Sequence, residues 1–367
     1  MKYYLIAGEA SGDLHASNLI KALRVKDPQA VFVGLGGDKM RAEGCDIRVD
    51  YRDMAYMGFV AVLANMHKVY RNIHIAKKEL LAEKPDALIL IDYPSFNLRI
   101  AKFCHKHLPQ TRITYYIPPK IWAWKKWRVH TIAQYCDEIL GIFPFEPQFY
   151  AQYGYKCHYV GNPTADCIRA FSSSYTPSST PTIAILPGSR RSEISHCLPT
   201  MLEAARLVAD GKYDIVVGVA PGIEDEFYLP YLCNETLVHD PYSTLSHAHA
   251  AVVNSGTATL ETALIGCPQT AVYHVTGSKY LEKILRPIMF SIPYFTLVNI
   301  IAQKEIIQEL VASRFTRENV EHELTRLLHD KPYRQSMLSH YQMLSKILGN
   351  RPAAETAAEH IIALLQK

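Results

Sequence analysis

Short apolar runs alternate with longer amphipathic stretches along most of the chain. In the first half, near-continuous apolar runs at residues 3–7, 31–35, 87–91, 113–116 and 138–142 predict strands, and residues 17–25, 63–84 and 97–107 fill gaps between them as helices. After a break the alternation resumes, with strands predicted at 182–186, 214–219, 250–253 and 269–273. Strands apolar on both faces and separated by helices predict a doubly wound parallel sheet in each half, an α/β class. The break itself, residues 172–181, is Ser-Ser-Ser-Tyr-Thr-Pro-Ser-Ser-Thr-Pro and reads as a linker. The expected organisation is a first domain at 1–170, a linker at 171–181 and a second domain at 182–349. An alanine-rich amphipathic helix at 353–367 ends the sequence, and residues 350–367 can return to the first domain or pack on a partner chain. Two Rossmann-like domains of this kind are expected to face one another across a cleft at the carboxyl ends of their sheets.

Two strand ends in the second half carry candidate chemistry. The run 182–186 leads into Pro187-Gly188-Ser189-Arg190-Arg191-Ser192-Glu193, a tight turn followed by a helix start. Backbone N–H groups at a helix N-terminus favour an anion, and Arg190 and Arg191 can add charge-assisted bonds to a phosphate. An ordinary turn with solvated arginines fits this segment alone equally well. The run 250–253 then leads into Asn254-Ser255-Gly256-Thr257-Ala258-Thr259-Leu260-Glu261. Small residues there let a ligand lie on the backbone, Ser255, Thr257 and Thr259 offer hydroxyls, and Glu261 can accept from a ribose diol. Glu261 can equally be an acid stabilised by the helix dipole. Two such turns in one half suggest a single nucleotide, with one turn for the diphosphate and one for the sugar.

The first half offers acids instead. Gly8-Glu9-Ala10-Ser11-Gly12-Asp13 follows the first strand but matches neither a dinucleotide fingerprint nor a P-loop. Its acids would repel a diphosphate, so Glu9, Ser11, Gly12 and Asp13 suit sugar hydroxyls or a loop held by its own bonds, and Asp13 can simply cap a helix. Asp92 ends the strand at 87–91, where a carboxylate at the carboxyl end of a central strand can act as general base, or can fix the loop after it. Residues 115–128 hold all three tryptophans, Trp122, Trp124 and Trp127, among Lys120, Lys125, Lys126 and Arg128. That mixture suits a membrane interface or single-stranded nucleic acid. The apolar stretch 54–63, with Met57, Phe59, Val60 and Val62, leads into a helix bearing His67, Lys68, Arg71, His74, Lys77 and Lys78. That helix alone reads as a core helix with a solvated basic face; the two features together favour a lipid surface.

Composition narrows this further. The 367 residues suit two domains, and 49% hydrophobic with 20% charged residues is globular. A net charge of +4 is too weak to argue for nucleic acid. None of the eight cysteines forms a C-x-x-C pair, no His/Cys spacing matches a zinc site, and no secretory signal opens the chain, so they read as reduced cytosolic thiols. The long uncharged run nearest to a membrane span, 287–303, contains Pro293 and several polar residues and falls short of the ~20 apolar residues required.

Taken together, the 8–13 turn, the 117–124 segment ending Ile-Trp-Ala-Trp, Leu186–Arg190 and Ser255–Glu261 resemble the lipid-A-disaccharide synthase family in order and spacing, from residue 3 to the C-terminus. The resemblance implies a GT-B glycosyltransferase. It would move 2,3-diacylglucosamine from its UDP derivative to 2,3-diacylglucosamine 1-phosphate (lipid X), giving the β-1,6-linked disaccharide phosphate and UDP. It implies that Gly188, Ser189, Arg190, Ser255, Gly256, Thr257, Ala258, Glu261 and Asn299 bind the donor. It further implies that Asp92 is the base for an inverting displacement, with Glu9, Ser11, Gly12 and Asp13 on the acceptor side. Met57, Phe59, Val60 and Val62, together with Trp122 and Trp124, are the residues expected to meet acyl chains or membrane. The implied location is the cytoplasmic face of the inner membrane, with no nucleic acid partner, and a homodimer is allowed. Ser95 stands where the family often has a second aspartate, and Pro118-Pro119-Lys120 where it usually has Ser-Pro-Ser. With no Asp-x-Asp in the chain, neither a metal nor another cofactor is expected, and Arg190 with helix N-termini would stabilise the leaving group. The rival readings are a UDP-N-acetylglucosamine 2-epimerase-like isomerase, a non-catalytic nucleotide- or lipid-binding module, and a weakly supported RNA-binding role.

Overall fold

The computed structural model describes residues 1–54, 66–123, 125–171, 180–254, 256–274 and 293–367. The chain divides into two units. The first comprises Met1–Pro163 and Asn350–Lys367; the second is Thr164–Gly349.

Among the described residues the first unit is built on seven parallel strands: β1 (Lys2–Ala7), β2 (Val31–Gly36), β3 (Asp46–Asp50), β4 (Ala87–Ile91), β5 (Arg112–Tyr116), β6 (Glu138–Gly141) and β7 (His158–Tyr159). They lie in the order β3-β2-β1-β4-β5-β6-β7. Alternate residues of β1 and β4 enter two separate cores. Tyr3, Leu5, Ala7, Ile89 and Ile91 pack with Leu19, Ile20 and Leu23 of the helix Ala10–Lys26. Tyr4, Ile6, Leu88 and Leu90 pack on the other face with Ile73 and Leu80 of the helix Met66–Glu83 and Ile100 of the helix Pro94–His107. Burial on both faces is why these strands lack a polar alternation. The C-terminal helix Ala353–Leu365 joins the first of these cores through Ala357, Ala358 and Ile361, all 0% exposed.

The second unit repeats the plan with β8 (Thr182–Leu186), β9 (Asp214–Gly218), β10 (Thr236–Val238), β11 (Ala250–Val253), β12 (Gln269–Tyr273) and β13 (Glu309–Val311), all parallel, in the order β10-β9-β8-β11-β12-β13.

The division between units falls before the Ser/Pro-rich stretch, not within it. The helix Pro163–Ala170 runs from the last residue of the first unit into the second. Arg169 Nη1 donates to Gly349 O at 3.0 Å, and Phe171 meets the Tyr242 ring edge-on, so the residues just ahead of that stretch are tied to the second unit. Residues 172–179 lie outside the described residues.

Candidate active site

In a sheet of this order the winding reverses between the first and fourth strands, and the carboxyl ends there leave a crevice where ligands bind. In the first unit that point lies between β1 and β4, whose register pairs Ala7 with Ile91. The 8–13 turn leaves β1 and Asp92 leaves β4, so the acidic positions are brought together. A Cβ on Gly8 would lie 2.4 Å from the Tyr93 ring, so glycine is what lets Tyr93 cover the β1 turn.

Asp92 and Tyr93 both adopt left-handed backbone, with φ of 44° and 45°. For non-glycine residues this costs on the order of 1–3 kcal/mol each and persists only where the surroundings enforce it. Here they do. The Asp92 N–H donates to Ile117 O at 3.2 Å. Its carbonyl accepts from Asn97 Nδ2 and Tyr115 Oη, both at 2.7 Å. Tyr93 Oη donates to Met54 O at 2.7 Å. The carboxylate is left at the surface. Even so, desolvation by the surrounding protein raises it above the usual carboxylate range, opposed by the Lys120 ammonium and the Tyr93 N–H. Desolvation likewise lowers Lys120, opposed by Asp92 and Glu146. Each member of the Asp92–Lys120 pair is drawn toward its neutral form by its setting and toward its charged form by the other. That arrangement suits a group that must take up and release a proton.

Glu146, which acts electrostatically on Lys120, is 1% exposed. Its Oε2 accepts from the N–H groups of Ile142 and Phe143 at 2.8 and 2.9 Å, and its Oε1 accepts from Trp122 Nε1 at 3.2 Å. Desolvation pushes its carboxyl up to about 7, against those bonds and Lys120. His15, within the helix that opens the 8–13 turn, has a buried Nδ1 with no hydrogen-bond partner. Burial lowers its pKa to about 4, which holds it neutral near pH 7.

The reversal in the second unit lies between β8 and β11, whose register pairs Leu186 with Val253. Gly188 has φ 119°, and a Cβ there would meet Glu193 at 2.9 Å and Asn254 Nδ2 at 3.1 Å. Asn254 Nδ2 donates to Pro187 O at 2.9 Å, which fastens the end of β11 to the β8 turn. The helix Arg191–Ala209 opens there, and Glu193 in its first turn folds back on the turn. Glu193 Oε2 accepts from Ser189 N at 3.0 Å, and its Oε1 accepts from Arg190 Nη1 at 2.8 Å. After β11 the helix Gly256–Ile265 begins, with Gly256 and Ala258 partly exposed and Thr257 exposed. One turn further in, Glu261 Oε1 accepts from Tyr242 Oη at 2.9 Å. Desolvation raises the Glu261 carboxyl, opposed by the Tyr242 bond. Two glycine-lined turns at helix starts, one with an arginine and one with a carboxylate, can hold an anion and a diol side by side.

The sequence pattern of a family described as lipid-A-disaccharide synthetase matches residues 3–361. A lipid-A-disaccharide synthase from Koribacter versatilis is 34% identical over 386 aligned positions, covering 100% of this chain and 99% of that protein. The chain belongs to the lipid-A-disaccharide synthase family. Another member, from Trichlorobacter lovleyi, is 35% identical over 99% of this chain and 97% of its own length. Among solved structures, Staphylococcus aureus MnaA with UDP matches at a TM-score of 0.69 and 15% identity, covering 100% of this chain and 97% of that one. The calicheamicin glycosyltransferase CalG4 matches at 0.61 and 13%, covering 100% and 98%. Such likenesses carry the fold, which is GT-B; family membership makes the chain a glycosyltransferase of lipid A biosynthesis.

Several lipid-A-disaccharide synthase positions expected at a ligand turn out to hold the scaffold. Asp13 is 2% exposed, and its carboxylate accepts from the N–H groups of Gly37, Lys39 and Met40 at 2.8 to 3.1 Å. It clamps the loop after β2, so the role left for it is positioning, while Glu9 is partly exposed and Ser11 exposed at the turn. Gly12 is buried, with Ala7 Cβ 3.3 Å from where its own Cβ would be, so it allows close packing of helix on strand. Asn299 is 0% exposed; its Nδ2 donates to Ile307 O and Glu309 Oε1, and its Oδ1 accepts from the N–H groups of Ile306 and Ile307. It braces the approach to β13, with both side-chain polar atoms engaged within the protein. The Thr259 hydroxyl is buried on Gly256 O. Trp122 is 5% exposed, with its rings edge-on to Phe143 and Phe145, so it is core and not a membrane contact. Among the described residues the exposed tryptophan is Trp127, at 63%, beside the exposed Lys125 and Lys126. Ser255, Met57, Phe59, Val60, Val62 and Trp124 lie outside the described residues. Lys120, Tyr242, Asn254 and Glu193 are site-building residues that the sequence does not single out, because each acts through a partner distant in sequence or through its own turn.

Proposed function

We propose that the chain transfers 2,3-diacylglucosamine from UDP-2,3-diacylglucosamine to the 6-hydroxyl of 2,3-diacylglucosamine 1-phosphate, with inversion. The observation that carries this reading is Asp92: a carboxylate at the switch point of the first sheet, held by two left-handed residues and coupled to Lys120. In the proposed step the 6-hydroxyl gives its proton to the Asp92 carboxylate as its oxygen bonds the donor's anomeric carbon. The bond from that carbon to the UDP oxygen breaks, and UDP leaves with the electron pair. The Gly188–Arg190 turn and the helix starting at Gly256 hold the diphosphate, Glu261 holds the ribose, and no metal takes part. An isomerase reading has less support, because structures described as UDP-N-acetylglucosamine 2-epimerase share the fold at 13% identity or below.

We further propose a peripheral membrane site on the first unit. No helix among the described residues is long and apolar enough to cross a membrane. Trp127 with Lys125 and Lys126 presents an aromatic and two cations to solvent, and the helix Met66–Glu83 exposes His67, Tyr70, Arg71, His74 and Lys78 on the side away from its buried Ile73, Ala76 and Leu80. Such a surface suits anionic headgroups.

The deciding experiment is product formation from the two acyl-sugars in detergent with chelator present. Disaccharide phosphate and UDP in equal amounts support the transfer and its independence of metal. UDP binding without product overturns it.

A further inference from the structure

We propose that Glu138, His158 and His360 form a binding site for a borderline divalent cation, zinc, that ties the C-terminal helix to the edge of the first sheet.

The site is assembled by the fold from three places distant in sequence. Glu138 opens β6, and its side chain is on the same face as that of Leu140 two residues on. His158 opens β7 and sits opposite Leu140 in the register, so the carboxylate and the imidazole share that face. Leu140 is buried in the same core as Ala357, Ala358 and Ile361, which places the C-terminal helix over this face. His360, next to Ile361, brings the third ligand to the edge of that contact.

The distances suit a metal better than they suit hydrogen bonds. Glu138 Oε1 lies 3.2 Å from His158 Nε2 and 3.5 Å from His360 Nδ1. One donor atom from each of the three residues lies within 4.8 Å of the others. In a tetrahedral zinc site with bonds of about 2.1 Å, neighbouring ligand atoms are about 3.4 Å apart. Two edges of the cluster already have that length. Yet Glu138 Oε1 is a buried atom with no well-formed hydrogen bond, although His360, Lys156 and Lys367 all act on its charge. A buried carboxylate oxygen left so is costly, and a cation placed among the three would satisfy it. The imidazole rings are 4.4 Å apart and tilted by 44°, so they are not stacked flat against one another.

Two imidazoles and a carboxylate are a borderline donor set, which selects zinc over magnesium or calcium. The side chains are 15 to 29% exposed, so an ion and a fourth, water ligand can enter. Lys156 and Lys367 also act on His158 electrostatically and oppose a cation, so affinity rests on the ligand bonds. The site stands at the edge strand β7 and its neighbour β6, whereas Asp92 follows the central strand β4. The proposed role is therefore structural and independent of the transfer reaction.

The test uses the full chain stripped with EDTA, loaded with zinc chloride and freed of unbound metal by gel filtration. The expected result is about one zinc retained per chain, with a melting temperature raised by about 2–4 °C, and loss of both in His158→Gln, His360→Gln and Glu138→Gln. Failure of the wild-type chain to retain zinc overturns the proposal, as does retention in the variants equal to that of the wild type. A second measurement needs no variant. Cobalt chloride added to the stripped chain should give the visible spectrum of nitrogen and oxygen ligation. A thiolate charge-transfer band would place the metal on one of the eight cysteines and overturn the assignment.

Discussion

The two units share one strand order over six strands, to which the first adds a seventh, and their equipment at the same topological point is opposite. Where the first unit places Asp92 beside Lys120, with Glu9 and Asp13 in the neighbouring turn, the second places a glycine turn with Arg190 and a helix start leading to Glu261. The scaffold supplies the crevice in each. On the proposed function, the residues in the turns decide whether it attracts a hydroxyl to be deprotonated or a diphosphate to be held. Backbone strain also differs in kind. The first unit forces non-glycine residues into left-handed geometry at Asp92 and Tyr93, whereas the second uses a glycine at Gly188 for a positive φ. Strain held in place by Asn97 and Tyr115 aims a reactive group; a glycine makes room for a ligand to approach the backbone.

Variants that separate the two turns test this division. The largest effect is expected from Asp92→Asn: turnover falls about 10²–10⁴-fold while UDP affinity is unchanged. An equal loss of UDP binding would dissolve the distinction. Gly188→Ala should do the reverse, weakening UDP binding about tenfold or more through strain and collision with Glu193, with the first unit's melting unaffected. Glu261→Gln should weaken UDP binding about tenfold, and Tyr242→Phe by less, measured by calorimetry. Unchanged affinity in both variants would move the ribose elsewhere.

The pH dependence sharpens the first unit's side. In the proposed step the ionised Asp92 is the active form, so activity should fall as pH drops through its raised pKa. Lys120 lowers that pKa, so Lys120→Met should shift the acid limb of kcat/KM to higher pH. A limb that stays in place would uncouple the pair. The smallest effect concerns stability. Glu146 titrates at about 7 in the folded chain against 4.5 as its ordinary value, so the folded state holds the extra proton between those limits. Stability should therefore decline as pH rises from 4.5 through about 7, and Glu146→Gln should lose that slope in denaturant titrations.

Much of the fold is legible in the sequence because both sheets are covered on both faces, which writes each central strand as an unbroken apolar run. The edge strands are not. Asp46–Asp50 alternates apolar with polar, His158–Tyr159 has only two residues, and Thr236–Val238 and Glu309–Val311 have three each, too short to leave a pattern. In the site, Asp92 is visible because a lone carboxylate ends an apolar strand, and Gly188 because the turn demands it. Asp13 and Asn299 stand out as polar residues in marked positions, but their types alone do not separate a side chain that binds a ligand from one that binds the backbone of its own loop. The partners of Asp92 and Glu261 are invisible for a different reason: Lys120 and Tyr242 meet them only through the sheet and helix arrangement.

The return of the C-terminal helix to the first unit sets an order for biosynthesis. Residues 350–367 belong to the same body as residues 1–163, so that body is begun before residues 164–349 are made and completed only after them. At ordinary translation speeds the N-terminal sheet waits about 10–40 s for its final helix while the whole second unit emerges. During that interval Leu140 and the other residues under Ala357, Ala358 and Ile361 are open to solvent and to chaperones. Released chains ending at Gly349 should be cut by protease in the first unit and spared in the second. Residues 350–367 thus act as a check on residues 1–163, since a chain cut short at Gly349 leaves the first unit unsealed.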